Sequence, residues 1–302
     1  MLRFNQPSAG HRHRIVPWAR GSGKNQGGFL YHPRRPRGLA ERVNNSQTVT
    51  PPIALVTGAS AGIGRSAAIE IARRGFGVVA TYRSRAEEAD RTIEAIHELG
   101  GRARMLRLDL ADSSTFPAFV SDLTEILRSE WDADRLTALV NNGGFGGGRT
   151  FAEMTEDAFD DYYRTLLRGP YFLTQALLPL IEEGGSILSV SSSSPRAGDT
   201  QDGYSAYAGM KAGLIVASRF LAKELGPRGI RVNTIAPGPT RTRIGDDAFS
   251  KYPEIADGIA GRTALGRLGE PDDIGRVMAF LVSDDAAWIT GEDILVAGGY
   301  AL

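Results

Sequence analysis

Residues 56–68 read VTGASAGIGRSAA. The run follows the apolar stretch IALV (53–56) and passes into SAAIEIARRG, whose apolar residues recur at helical spacing. A strand that ends in a glycine turn and feeds a helix N-terminus presents backbone N–H groups and the positive end of a helix dipole to an anion. Gly58, Gly62 and Gly64 leave room for a pyrophosphate to approach the backbone. Glycine clusters alone mark any turn, so the strand before and the helix after carry the reading of a dinucleotide loop. The spacing here is Gly-x-x-x-Gly-x-Gly rather than the more usual Gly-x-Gly-x-x-Gly.

Outward from this loop, apolar runs alternate with amphipathic segments. GVVATY precedes the helical pattern RAEEADRTIEAIHELG, RARMLRLDL precedes FPAFVSDLTEILRS, and LTALVNNGG, SILSVSS, IRVNTIAPG and DILVAGG follow with long helical stretches between them. Such alternation builds a parallel sheet with helices on both faces, because each crossover returns right-handed to the same sheet. The expected fold is a single α/β domain, doubly wound and Rossmann-like, over residues 51–302.

Composition narrows the chemistry. The chain has 302 residues, 42% hydrophobic and 23% charged, and no cysteine, which suits a large core and excludes disulfides and thiol nucleophiles. No run of 18 apolar residues occurs, so no membrane span is expected. His11, His13 and His32 fall in the first 50 residues and His97 in an exposed helical pattern, which leaves little for a metal site or a Ser-His-Asp triad. Nine of the 35 Lys/Arg but one of the 35 Asp/Glu lie in residues 1–50, so a segment of +8 precedes a body of −8. Its Gly-, Pro- and Asn-rich composition reads as a disordered basic extension, with an organelle-targeting role as the rival and nucleic-acid binding not expected. The default location is the cytoplasm.

Cofactor choice is read at the end of the second strand, where an acid would bind a ribose 2′-hydroxyl and repel a 2′-phosphate. The sequence there is TYRSR, with Arg83, Ser84 and Arg85 and no acid, and Arg65 adds a charge in the glycine loop. NADP(H) is preferred over NAD(H) on this reading. A second constellation is GYSAYAGMKAG (203–213). On a helix Tyr207 and Lys211 share a face, whereas Tyr204 lies two turns from Lys211 and reads as preceding the helix. A nearby ammonium stabilises phenolate, which would make Tyr207 an acid or base near neutral pH.

TGASAGIG, Asp109 of RLDL, NNGG (141–144), the serine strand, YAGMK, APGPTRT and ITGEDILVAGG occur in order across residues 53–299. Together they resemble the classical short-chain dehydrogenase/reductase family, and among its members the 3-oxoacyl-acyl carrier protein reductases. The resemblance implies that Tyr207 is the catalytic acid or base and that Lys211 lowers its pKa and holds the nicotinamide ribose. It further implies a serine that orients the carbonyl. Strand alignment points to Ser192, with Ser191, Ser193 and Ser194 close by. Asp109 matches the family position at adenine, Asn141 the one that stabilises the central strand, and Thr240 and Thr242 those at the carboxamide. Ser60, Ile63, Ser84, Leu110, Gly143, Pro237 and Gly238 are implied to line the cofactor.

Departures from the family pattern carry expectations too. Leu166 stands where many members have an asparagine that orders a water relay to the lysine, and leucine cannot hydrogen-bond. GGFGGGR (143–149) suggests a mobile wall with few side chains beside the pocket. Residues 239–272 resemble the substrate lid. The helices at 112–130 and 156–182 resemble those that pair subunits, so a homotetramer or homodimer is expected. The leading function is NADPH-dependent carbonyl reduction of a small molecule. Two readings stand beside it: an NAD(P)-dependent sugar or polyol dehydrogenase, and a weakly catalytic cofactor-binding sensor or assembly protein.

Overall fold

Each of the seven apolar runs becomes a strand. A computed structural model describes residues 50–243 and 248–302. The basic extension expected before Pro51 therefore lies, apart from Thr50, outside the described residues, as does part of the expected lid, residues 244–247.

The strands β1 (Ile53–Val56), β2 (Gly77–Tyr82), β3 (Ala103–Arg107), β4 (Leu136–Asn141), β5 (Ile181–Val190), β6 (Arg231–Pro237) and β7 (Asp293–Val296) form one parallel sheet. Their order is β3-β2-β1-β4-β5-β6-β7. The chain winds outward from β1 to β3, then crosses back to place β4 on the other side of β1. That reversal opens a crevice at the carboxyl ends of β1 and β4, the place where open α/β sheets bind ligands.

Helices cover both faces, which is why β1 at the centre is apolar and buried at every position rather than alternating with polar residues. Alternation still sorts their side chains. Ala54 and Val56 of β1 face a layer that contains α1 (Gly62–Arg73), α2 (Ala86–Glu98) and α9 (Pro271–Val282). Ile53 and Leu55 face the opposite layer, with α3 (Phe116–Trp131), α5 (Gly169–Leu177) and α6 (Ser205–Leu225). The first layer is rich in alanine and the second in leucine and phenylalanine, so α1 can lie close to the sheet and to α9. At that helix contact a Cβ on Gly275 would stand 2.3 Å from Ser66 Oγ, and Ser66 donates to Asp272 at 2.6 Å.

Residues 156–182 do not form the single helix expected from the sequence. α4 (Glu156–Tyr163) passes through a π-helical turn at Arg164–Arg168 into α5, and β5 begins at Ile181, five residues before the apolar run SILSVSS. Pro170 supplies the cause: it has no N–H for the preceding turn, and its ring crowds the carbonyl one turn back. Gly169 packs directly on the Leu110 carbonyl, which a Cβ would meet at 2.3 Å. Between β6 and α9 lie two short α-helices among the described residues, α7 (Ala248–Lys251) and α8 (Pro253–Gly261).

Gly275→Ala is expected to lower stability by roughly 1–3 kcal/mol through overpacking, although alanine is the better helix former by about 1 kcal/mol. Gly258→Ala in α8, where an added Cβ meets nothing within 4 Å, is expected to raise stability by up to about 1 kcal/mol. Urea midpoints that move in opposite directions from the parent check both.

Candidate active site

The loop after β1 and the loop after β4 meet in the crevice. Gly58 and Gly62 adopt φ of +65° and +57°, the left-handed region that side chains disfavour. A Cβ on Gly58 would lie 2.6 Å from Gly143 Cα, and one on Gly64 would lie 2.3 Å from both Gly58 O and Asn142 Nδ2. Thr57 Oγ1 accepts from the N–H groups of Asn142 (3.0 Å) and Gly143 (2.9 Å), while Asn142 Nδ2 donates to Thr57 O (2.9 Å) and Gly58 O (3.1 Å). Asn142, not singled out in the sequence, is thus the side chain that stitches the crevice. Asn141 turns the other way and donates to Thr174 of α5 at 2.9 Å, with its own Oδ1 buried and unpartnered.

Beside the α1 N-terminus lies a cavity of about 230 Å³, bordered by Ser60, Gly62, Arg65, Arg91, Arg243 and Glu88 among others. No acidic residue occupies the first turn of α1. A helix N-terminus, left-handed glycines and a ring of guanidinium groups suit the phosphates of a nicotinamide dinucleotide. Arg83 and Ser84 are exposed outside this cavity, and Arg85 reaches Glu88 at 3.6 Å. Ile63 packs against the α1 core, and Leu110 Cδ1 fills the space that a Cβ on Gly143 would need. Asp109 accepts from Ala111 N at 3.0 Å and so shapes the turn after β3. At the end of β6, Pro237 O accepts from Ser193 N, Gly238 permits close approach to Ala297, Thr240 donates to Gly238 O at 2.9 Å, and Thr242 touches Gly62.

Alternation at the end of β5 resolves the serine run. Ser191 donates to Asp293 Oδ1 at 2.7 Å and Ser193 to Asp199, two largely buried carboxylates. Ser192 points the other way, bonded to Ser194 Oγ at 3.0 Å and close enough to Tyr207 to draw its pKa down. Asp293 also accepts from Thr234 (2.7 Å) and pairs with Arg196 (2.9 Å), so three segments converge on it. Asp199 takes a second bond from Gln201 at 2.8 Å. Asp199 lies in no motif and Asp293 only opens the strand DILVAGG, so it is the fold that brings both to the serines flanking Ser192.

Tyr207 and Lys211 share one face of α6, and Tyr204 precedes the helix, with its ring edge-on to that of Tyr207 at 5.9 Å. Lys211 is buried and donates to Val190 O at 2.7 Å; its Nζ lies 5.8 Å from the Tyr207 ring centroid. Burial pulls the ammonium down to about 8. The tyrosine moves opposite to the expectation that Lys211 lowers its pKa: desolvation pushes the phenol up to about 12, against a smaller downward pull from the Ser192 hydrogen bond. Tyr207 is half-buried as a residue, and the protein packed around it would strip a phenolate of part of its water. At neutral pH the site therefore pairs a neutral phenol with a buried ammonium.

The glycine-rich wall is anchored rather than free. Phe145 stacks on Tyr162 at 4.9 Å, Tyr162 donates to Gly147 O at 2.7 Å, Arg149 N donates to Gly203 O at 2.8 Å, and Gly148 packs on the Tyr204 ring. Leu166 sits buried in the π-helical turn, where a Cβ on Gly144 would meet its Cδ2 at 2.9 Å. The leucine fills space that a polar side chain would otherwise offer to water. Among the described residues no helix is long and apolar enough to cross a membrane.

Residues 58–301 match the family model described as enoyl-(acyl carrier protein) reductase. The 3-oxoacyl-[acyl-carrier-protein] reductase FabG of Staphylococcus aureus is 35% identical over 82% of this chain and 96% of its own. An L-rhamnose 1-dehydrogenase (NAD(P)(+)) of Sphingomonas sp. is 36% identical over 81% of this chain and 94% of its own. Among solved structures, the angucycline C-6 ketoreductase LanV with bound NADP superposes with a TM-score of 0.78 at 33% identity, over 82% of this chain and 95% of that one. Matches of this extent, on a sheet whose order reversal carries the phosphate loop, establish that the chain belongs to the short-chain dehydrogenase/reductase family of NAD(P)-dependent oxidoreductases.

Proposed function

We propose that this protein is an NADPH-dependent carbonyl reductase, with Tyr207 as proton donor, Ser192 as the group that orients the carbonyl, and Lys211 as their electrostatic support. The observation that carries this reading is the placement of Tyr207 and Lys211 on one face of α6, with the buried ammonium 5.8 Å from the tyrosine ring. A phenol protonated at neutral pH carries the proton that carbonyl reduction consumes, and the ammonium one helical turn away offsets the charge left when that proton is given up. The reduced nicotinamide, when bound, supplies hydride to the carbonyl carbon. Tyr207 gives its proton to the carbonyl oxygen, and Ser192 donates a second hydrogen bond to the same atom. Donors already in place for a developing oxyanion need no reorganisation as charge appears. Lys211, tied to Val190 O, keeps a positive charge under the phenol as its proton leaves.

Arginines around the α1 N-terminus support a 2′-phosphorylated cofactor, in which Gly58, Ser60, Gly62 and Gly64 would hold the phosphates. The similarity to FabG favours 3-oxoacyl thioesters, and LanV, a ketoreductase, supports ketones more broadly. A sugar-oxidising reading is favoured by one observation, the identity to L-rhamnose 1-dehydrogenase. Residues 239–272, which include α7 and α8, are assigned as the substrate lid. Exposed Phe159, Tyr163, Tyr171, Phe172, Val216 and Phe220 on α4, α5 and α6 support a homotetramer or homodimer, because exposed apolar faces seek a partner.

NADPH oxidation followed at 340 nm, against 3-oxoacyl thioesters, ketones and ketosugars, is expected to reveal turnover. Tyr207→Phe should reduce kcat by roughly 10²–10⁴ while NADPH affinity stays unchanged. Turnover that survives in this variant would remove Tyr207 from the chemistry, and a protein that binds NADPH but reduces nothing on the panel would favour a binding role.

Lys211 also makes a stability prediction with a definite sign. Below about pH 8 the folded state holds a buried ammonium, whereas between about 8 and 10.5 it sheds that proton and the unfolded chain keeps it. The unfolded state then binds more protons, so the Lys211 contribution to stability rises with pH through this window. It amounts to about 3 kcal/mol at 1.36 kcal/mol per unit. The Tm of Lys211→Met relative to the parent is therefore expected to be most favourable below pH 8 and to decline as pH approaches 10.5, as thermal scans of both proteins would show.

A further inference from the structure

The cavity beside the α1 N-terminus contains a carboxylate that phosphate binding alone does not explain. Glu88, in the first turn of α2, borders it together with Arg65, Arg91 and Arg243. Its Oε1 is held by Arg243, which comes from the segment after β6, 155 residues away in sequence. Its Oε2 lies 3.6 Å from Arg85 Nη1 but is buried without a hydrogen bond. Arg65 and Arg91 have no ion-pair partner among the described residues. Glu88 is therefore the anion that two of the arginines at this end of the crevice already engage.

We propose that Glu88 is a specificity-determining residue, an internal counter-anion that a cofactor 2′-phosphate displaces from Arg243 and Arg85. The proposal rests on the NADPH reading above. A phosphate that enters the cavity meets Glu88 as a like charge and must take over its guanidinium partners, so Glu88 weakens the binding of a dianionic 2′-phosphate. A 2′-hydroxyl carries no charge, leaves the ion pairs intact and is little affected. Glu88 thus narrows the gap between the two cofactors that the arginines alone would create. The Glu88–Arg243 pair is partly exposed, so the exchange of one anion for another is energetically accessible. Arg85→Glu88 and Arg243→Glu88 attractions both weaken with salt, as does the repulsion of the phosphate.

Titration calorimetry on the full chain would measure Kd for NADPH, NADH and 2′,5′-ADP with the parent, Glu88→Gln and Arg243→Gln. Glu88→Gln is expected to tighten NADPH and 2′,5′-ADP by roughly three- to tenfold, to leave NADH within about twofold, and to lose most of this gain in 0.5 M NaCl. Arg243→Gln is expected to weaken NADPH several-fold more than NADH. An unchanged NADPH-to-NADH ratio in Glu88→Gln overturns the proposal, as does a selective loss of NADH affinity, which would make Glu88 a ligand of the ribose hydroxyl. A parent protein that binds neither dinucleotide overturns the cofactor reading and this proposal with it.

Discussion

The approach of Gly58 to Gly143 is the contact on which the site depends. These glycines end the two strands that flank the order reversal of the sheet, and a single added carbon on Gly58 would stand 2.6 Å from the Gly143 backbone. Because nothing intervenes, Thr57 and Asn142 can stitch the two loops together through four hydrogen bonds. The α1 N-terminus is thereby held at the mouth of the crevice, where its dipole and N–H groups suit an anion. The alanine-rich layer behind it serves the same end, since only small residues let α1 and α9 settle so close to the sheet.

On the other side of the crevice the electrostatics run through buried charge. Asp293 and Asp199 fix Ser191 and Ser193, so that Ser192 alone of the three is turned toward Tyr207. Lys211 has given up part of its hydration for one carbonyl of β5, and the phenol has been pushed to the protonated side. Low dielectric makes both effects large, and it would also strengthen any hydrogen bond that these groups direct at a substrate oxygen. The expectation that the lysine lowers the tyrosine pKa took account of the attraction between charges and not of desolvation. In this enclosure desolvation is the larger effect.

The glycine-rich wall teaches a related lesson. GGFGGGR has few side chains with which to order itself, yet Tyr162, Tyr204 and Gly203 supply the partners from elsewhere in the chain. The π-helical turn that carries Leu166 arises from Pro170, and it sets the leucine against Gly144. Flexibility read from local composition describes only what a segment can do alone.

Much of this architecture is legible in the sequence. Seven strand-sized apolar runs, the glycine loop and the four-residue spacing of Tyr207 and Lys211 are local patterns, and local patterns are written in periodicity and backbone permissiveness. They determined the parallel sheet, the phosphate loop and the pair on α6. Asn142 and Asp293 lie inside such stretches, NNGG and DILVAGG, but their partners, like those of Glu88 and Arg243, are distant in sequence, and Asp199 and Arg91 belong to no such pattern. Glu88 and Arg243 meet only because α2 and the end of β6 flank the same crevice. The tertiary structure likewise decided which serine faces the tyrosine and which way its pKa moves, since side-chain orientation at a strand end and the loss of water around a phenol are properties of the packed molecule and not of the chain.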